Sequence, residues 1–264
     1  NLHGQCAVPP LPPGLAYVAV AAGNMFSAAL RSDGVLLAWG LDASGQCAVP
    51  PPPPGLAYVG VAAGWRHTLG LRSDGTVAAW GENVSSQCNA PALPPGVVYR
   101  RVEPGQVFSI GNGFTVALRS DGSAVAWGSN PSGRCDVPAP PPGLSYVEIA
   151  AGGFFGAALL SDGSIVAWGD NSYGQGNIPA LPPGLKYVAL SAGSGHCVAL
   201  RSDGSAVAWG FNYAGQCVVP PLPPGLTYVA VAARGSVTLA GLSDGSVVAW
   251  RSEEHTSELQ SPNT

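Results

Sequence analysis

The stretch RSDGSAVAWG at residues 119–128 decides the fold, because it recurs five more times along the chain. The copies are RSDGVLLAWG at 31–40, RSDGTVAAWG at 72–81, LSDGSIVAWG at 160–169, RSDGSAVAWG at 201–210 and LSDGSVVAWR at 242–251. Successive tryptophans are 41, 47, 41, 41 and 41 residues apart. A fixed period near forty residues means that one supersecondary unit is repeated. We assign a structural role to the tryptophan of each copy. These residues are Trp39, Trp80, Trp127, Trp168, Trp209 and Trp250.

Each unit is predicted to contain four short antiparallel strands. A proline-rich link, such as PPLPPGL at 9–15, precedes a strand rich in Tyr and Val, such as YVAVAAG at 17–23. A second strand follows, Ser-Asp-Gly forms a hairpin turn, and a third strand ends at the tryptophan. The G-x-N-x-x-G-Q segment, clearest as GDNSYGQ at 169–175, is assigned to a fourth strand. This pattern predicts an all-β protein, a β-propeller of four-stranded antiparallel blades with six repeats visible.

The repeats define one β-propeller domain over residues 1–250. Residues 1–8 (NLHGQCAV) align with 41–49 (LDASGQCAV), so the chain begins with the end of a unit. Two arrangements follow: a closed six-blade ring in which residues 1–8 complete the last blade, or an arc of a seven-bladed propeller. The polar segment 251–264, RSEEHTSELQSPNT, breaks the pattern and resembles a translated sequencing adapter, so we expect a non-native, disordered tail.

Composition argues against nucleic-acid and membrane binding. Only 10% of the 264 residues are charged and the net charge is −4, so no basic footprint is visible. Residues 1–30 and 205–233 carry no formal charge, but proline and glycine interrupt both segments, and neither is predicted to span a membrane.

The six cysteines do not form a disulfide or metal pattern. Five occupy one position of the repeat and should lie too far apart to pair. We therefore expect reduced, packed thiols, which favours an intracellular location. The absence of a CxxC pair or a Cys/His spacing predicts no metal site and no cofactor. We also expect a monomer.

Candidate catalytic groups are better explained by the fold. Residues 241–245 (GLSDG) fit the G-x-S-x-G nucleophile motif, but the same Ser-Asp-Gly turn is present in all six units. His67 and His196 occupy a position that is Phe26, Phe114 or Phe155 in other units, which indicates packing rather than acid–base chemistry. No catalytic residue is predicted.

Departures from the repeat mark the candidate binding site. The second unit contains Trp65 and Arg66, and Trp65 is the one tryptophan outside the repeated position. The third unit has Arg100 and Arg101 in its first strand and six extra residues at 106–111 (QVFSIG). Because Trp and Arg are frequent at binding hot spots, we predict a partner-binding patch on one face. Its members are Trp65, Arg66, Arg100, Arg101, Val107 and Phe108.

The combination A-A-G, L-R-S-D-G, A-W-G-x-N and G-Q resembles the regulator of chromosome condensation family of propellers over residues 1–250. That family is usually seven-bladed. The resemblance implies a non-enzymatic protein–protein interaction propeller, acting as a scaffold or regulatory module for a protein partner of unknown identity. It also implies an alternative, guanine-nucleotide exchange on a small GTPase. The alternative of another class is a propeller hydrolase or lyase, which would need titratable side chains converging on one rim.

Overall fold

The computed structural model describes residues 1–106 and 111–250, and its regular elements within them are eighteen β-strands. Their bounds, in chain order, are β1 (Tyr17–Ala22), β2 (Phe26–Arg31), β3 (Leu36–Gly40), β4 (Tyr58–Ala63), β5 (His67–Arg72), β6 (Val77–Gly81), β7 (Tyr99–Pro104), β8 (Phe114–Arg119), β9 (Ala124–Gly128), β10 (Tyr146–Ala151), β11 (Phe155–Leu160), β12 (Ile165–Gly169), β13 (Tyr187–Ala192), β14 (His196–Arg201), β15 (Ala206–Gly210), β16 (Tyr228–Arg234), β17 (Val237–Leu242) and β18 (Val247–Trp250). The strands form six antiparallel sheets, each made of three consecutive strands paired in chain order. The sheets are numbered one to six along the chain. The prediction of an all-β repeat propeller is confirmed. In the part of the chain that is described, no helix is long and apolar enough to cross a membrane.

The predicted hairpin turn lies between the second and third strands of each sheet. In the third sheet, the backbone N–H and the hydroxyl of Ser123 both donate to Asp121 Oδ1, at 2.9 and 2.7 Å. These bonds hold the pKa of Asp121 below its ordinary value. Gly122 has a φ of 78°, a left-handed conformation that glycine adopts without strain. The repeated Ser-Asp-Gly motif is therefore a turn device.

The predicted fourth strand was wrong, because the blades have three strands. The G-x-N-x-x-G-Q segment folds into turns whose backbone N–H groups bond to nearby side chains instead of a neighbouring strand. After the first sheet, Cys47 N–H donates to Asp42 Oδ1 at 2.7 Å and Ser44 N–H donates to Gln46 Oε1 at 2.8 Å. Local polar side chains thus compete successfully with sheet pairing.

Each of these turns is hydrogen-bonded to the repeated tryptophan of the following sheet. Gln46 carbonyl oxygen accepts hydrogen bonds from Thr68 Oγ1 at 2.8 Å and Trp80 Nε1 at 3.0 Å, both in the second sheet. The same carbonyl position accepts the indole N–H in every repeat, and at Arg134 the distance from Trp168 Nε1 is 2.9 Å. Each of the six tryptophans thus has a bond to the preceding turn, and the structural role assigned to them remains a prediction.

The six sheets form an arc rather than a closed ring. Residues 1–8 lie on the first sheet, since Gln5 carbonyl oxygen accepts from Trp39 Nε1 at 3.0 Å. Val20 of the first sheet is 76% exposed, whereas Ile149 at the same position of the fourth sheet is 1% exposed. On the sixth sheet, Leu239 is 40% exposed, whereas its counterpart Val198 is fully buried. The outer faces of the first and sixth sheets therefore do not cover each other.

Candidate functional site

The arc has two chemically different faces. The loop face carries the connections between the first and second strands and the turns that follow each tryptophan. These segments lie together because Leu41 N–H donates to Met25 carbonyl oxygen at 2.8 Å, and Phe211 N–H donates in the same way to Gly195. The opposite turn face carries the Ser-Asp-Gly turns. Departures from the repeat can therefore be assigned to one face or the other.

Trp65 and Arg66 lie on the loop face. They form the connection between β4 and β5, and both side chains are half-buried. The backbone around them is fixed: Asn24 N–H donates to Trp65 carbonyl oxygen at 3.3 Å, and Glu82 N–H donates to Arg66 carbonyl oxygen at 2.8 Å. Trp65 and Arg66 are therefore part of a surface that spans the first and second sheets and is fixed by backbone hydrogen bonds.

The ends of the six-residue insertion are anchored on the same face. Gly111 N–H donates to Glu82 Oε1 at 2.6 Å, and Ser85 Oγ donates to Gly111 carbonyl oxygen. At the other end, Gln106 Nε2 donates to Ala192 carbonyl oxygen at 2.6 Å, and Gly235 N–H donates to Gln106 Oε1 at 2.8 Å. The insertion therefore begins with a residue that joins the third sheet to the fifth and sixth. The predicted patch members Val107 and Phe108 lie outside the described residues.

Arg100 and Arg101 do not extend this surface. They are the second and third residues of β7, whose first residue, Tyr99, pairs with Arg119 beside the Ser-Asp-Gly turn, so they lie near the turn face. The Arg101 side chain bonds Glu103 at 2.8 Å and Glu148 of the fourth sheet at 3.0 Å. The structure thus separates the two arginines from Trp65 and Arg66 by the length of a strand.

The loop face also carries an aromatic cluster, Tyr173, Phe211 and Tyr213, that the sequence reasoning missed. The rings of Tyr173 and Phe211 meet edge to face with centroids 4.7 Å apart, and those of Phe211 and Tyr213 are stacked at 6.4 Å. Tyr213 is 92% exposed and Tyr173 is 58% exposed. The sequence does contain a signal for this cluster. Phe211 and Tyr213 align with Asp170 and Ser172 of the preceding turn, and Tyr173 aligns with Ala214 of the following turn.

A second missed residue is Arg134, which replaces the glutamine of the other G-Q turns and is completely buried. Its guanidinium lies over the rings of Phe114 and Phe154, 5.3 and 5.0 Å from the centroids. It donates to Ser129 carbonyl oxygen and Oγ, both at 2.6 Å, and to Asn112 Oδ1 at 3.5 Å. Arg134 therefore fixes the partly exposed Phe154 and the end of the insertion on the loop face.

The two repeat-position histidines are buried packing residues. His67 Nε2 lies 3.4 Å from Thr115 Oγ1, and His196 Nε2 lies 2.9 Å from Thr238 Oγ1. Burial lowers the pKa of each histidine to about 4, so both are neutral near pH 7. Ser243 of the G-x-S-x-G match is in a hairpin turn between β17 and β18.

All six thiols are free. Burial, followed by the charge of Glu82, raises the pKa of Cys88 to about 12, and its thiol donates to Glu82 carbonyl oxygen at 3.3 Å. Burial likewise raises the pKa of Cys47 to about 11. These are poorly ionised packing groups rather than nucleophiles. Within the described ranges, no three His, Cys, Asp or Glu residues are grouped so that they could hold a metal ion.

The repeated three-stranded sheets, with a tryptophan bonded to the preceding turn, define a repeat propeller. The family model for the regulator of chromosome condensation (RCC1) repeat matches residues 17–46, 58–87, 107–134, 146–175 and 187–216, more than half of the chain. The protein belongs to this family. No curated protein matches the sequence.

Several solved structures are similar in fold. RCC1 (Prp20) of yeast, solved bound to Kap60, has a TM-score of 0.72 at 20% identity, over 89% of this chain and 70% of that one. Human WBSCR16 has a TM-score of 0.74 at 17% identity, over 91% and 78% of the two chains. The CRINKLY WD40 ectodomain of the Arabidopsis thaliana receptor kinase ACR4 has a TM-score of 0.65 at 25% identity, over 91% and 81%.

Proposed function

We propose that this propeller is a non-enzymatic protein-binding module that contacts its partner through the loop face. The observation that carries the proposal is the exposure of large apolar side chains there, with Tyr213 at 92%, Tyr173 at 58%, Met25 at 45% and Phe154 at 41%. Exposed aromatic residues on a backbone held by hydrogen bonds can bind a partner with little loss of conformational entropy. Trp65 and Arg66 extend this surface on the second sheet, and Val107 and Phe108 remain proposed members.

Membership of the family supports the proposal at a coarse level. Solved relatives are described with protein partners: yeast RCC1 was solved bound to Kap60, and Prp20p of Saccharomyces cerevisiae is described by its binding to Gsp1p and histones. Guanine-nucleotide exchange on a small GTPase would be one form of such binding. The hydrolase alternative receives no support from His67 and His196, because both are buried and neutral.

The repeat itself supplies variants that should fold. Trp65→Ser with Arg66→Gly gives the second sheet the loop of the fifth, which has Ser194 and Gly195 at those positions. On the turn face, Val35→Ser removes an apolar residue that is 41% exposed and introduces the serine found in other repeats. Val35→Ser is the matched control for the loop-face variants.

A second loop-face variant combines Phe211→Asp with Tyr213→Ser, which copies the turn that contains Asp170 and Ser172. Partners captured from a cell lysate by each variant should be compared by quantitative mass spectrometry, with melting temperatures as the folding check. We expect both loop-face variants to lose the same specific partner and Val35→Ser to retain it. Equal capture by all variants would refute the proposal. Release of labelled GDP from a captured GTPase would identify the exchange alternative.

A further inference from the structure

A cavity of about 450 Å³ lies where the first strands of the first three sheets come together. Small side chains of β1 and β4 form much of its wall, including Ala21 and Ala62. Its polar lining is arginine-rich and comes from the third and sixth sheets. The members of this polar lining are Arg100, Arg101, Glu103, Gln106 and Arg234. The volume is within the range of small-ligand sites, about 300–1,000 Å³.

The charged lining residues are departures from the repeat. Arg234 occupies a position that is glycine in every other unit, and Arg100 occupies one that is valine in every other unit. The glycines are Gly23, Gly64, Gly105, Gly152 and Gly193, and the valines are Val18, Val59, Val147, Val188 and Val229. Because five copies fold with small or apolar residues at these positions, the repeat fold does not need either arginine.

The carboxylates at the cavity are already engaged by one arginine. Arg101 bonds both Glu103, at 2.8 Å, and Glu148, at 3.0 Å. The second oxygen of Glu148 accepts the N–H of Leu190 at 2.9 Å. Three arginines line the cavity, against Glu103 in the lining and Glu148 bonded to Arg101, so positive groups exceed negative groups by one in a chain with net charge −4. This local excess favours an anion.

Arg234 is held but not neutralised. Its Nη2 donates to the carbonyl oxygen of Ala63 in the second sheet at 3.3 Å, which leaves most of its five N–H groups available. Burial lowers the pKa of Arg234, with Glu103 opposing the shift, because the cation has lost part of its hydration. Arg100 is exposed at the end of the cavity near the turn face.

We propose that this cavity binds an anionic ligand through its carboxylate or phosphate oxygens, with Arg234 and Arg100 as the binding residues. A guanidinium presents a planar fork of donors that matches both kinds of oxyanion. The ligand is either a free small anion or the acidic side chains of a peptide, since both present the same oxygens. Arg234 and Gln106 lie at the loop-face end of the cavity and Arg100 at its turn-face end. The lining does not include Trp65, Arg66, Phe211 or Tyr213, so the variants that test partner binding leave this site unchanged.

The test uses the residues that the repeat places at these positions. Arg234→Gly and Arg100→Val each remove one guanidinium and introduce the side chain of the other five units. Lys186→Ala is the matched control, because it removes a positive charge outside the cavity and introduces the residue found at Ala16 and Ala57. Arg234→Lys keeps the charge without the planar fork and serves as a second variant if the glycine variant does not fold.

Binding of citrate, inorganic phosphate and a short polyglutamate peptide should be measured by isothermal titration calorimetry at constant ionic strength. We expect saturable binding of at least one probe with one site per chain, weakened about tenfold or more in Arg234→Gly and Arg100→Val. Lys186→Ala should bind as the unmodified protein does. Binding of the peptide alone would assign the ligand to a partner, and binding of citrate or phosphate would assign it to a free anion. No saturable binding of any probe, or equal binding by all variants, would overturn the proposal.

Discussion

Replacing His67 and His196 with phenylalanine should make the protein markedly less sensitive to mild acid. Both side chains are almost completely inaccessible, and burial lowers the pKa of each from 6.5 to about 4. Phenylalanine occupies the same position at Phe26, Phe114 and Phe155, so the substitution has precedent in the same fold. The neighbouring Thr115 and Thr238 hydroxyls would keep their bonds to backbone carbonyl oxygens, at 3.3 and 2.8 Å.

The sign follows from the lowered pKa of each histidine. Between pH 6.5 and 4 the unfolded chain binds a proton that the folded histidine does not, so stability present above pH 6.5 is lost as the pH falls. At pH 5 each histidine should cost about 2 kcal/mol relative to pH 7.5, or about 4 kcal/mol for the pair. Glu103, whose pKa is raised by burial, titrates in the opposite sense but is present in every variant.

The measurement is urea unfolding of the unmodified protein and of the double phenylalanine variant at pH 7.5 and pH 5. The loss of unfolding free energy should be smaller in the variant by about 4 kcal/mol. The reverse substitution, Phe155→His, should increase the loss by about 2 kcal/mol even if it lowers stability at both pH values. Parallel losses in all three proteins would refute the assignment of the buried histidines as the acid-sensitive groups.

Three further outcomes are expected from the packing. Trp127→Ala should lower the free energy of unfolding by roughly 3–5 kcal/mol, because a buried indole and its 2.9 Å bond to the preceding turn are lost; a change below 1 kcal/mol in urea unfolding would contradict this role. A thiol-specific reagent should label the exposed Cys6 quickly and the fully buried Cys197 only on unfolding, as followed by peptide mass spectrometry. Gly156→Ala should lower the melting temperature clearly, since a Cβ there would meet the Trp168 ring at 2.4 Å, whereas Gly241→Ala, with its nearest atom at 3.6 Å, should be tolerated.

The strands, hairpin turns and tryptophan positions could be predicted because each repeats with the same local chemistry. The fourth strand could not be recognised as wrong from periodicity alone. Its Asn and Gln side chains, such as Asn171 and Gln175, bond to nearby backbone N–H groups and close the segment into turns. The fixed spacing of these polar residues is that of turn caps.

The candidate site was predicted only in part. Trp65 and Arg66 lie on the loop face, but Arg100 is the second residue of a six-residue strand and lies near the turn face. The sequence shows which repeat contains an unusual residue. The position of that residue along its strand decides on which face of the arc it lies, and this is known only from the structure. Tyr213 and Arg134 were overlooked because each changes one residue in a turn that otherwise keeps its pattern.

The uncovered outer faces of the first and sixth sheets also predict the order in which the sheets unfold. Each of the four middle sheets is held between two neighbours, whereas each end sheet is packed on one side and has Val20 or Leu239 in water. In a linear array with nearest-neighbour coupling, such end units open first and the middle units last. Amide hydrogens of β1 and β18 should therefore exchange before those of β8 and β11. Among the six described sheets, unfolding would proceed from the first and sixth toward the third and fourth, which also carry the Arg101 ion pairs.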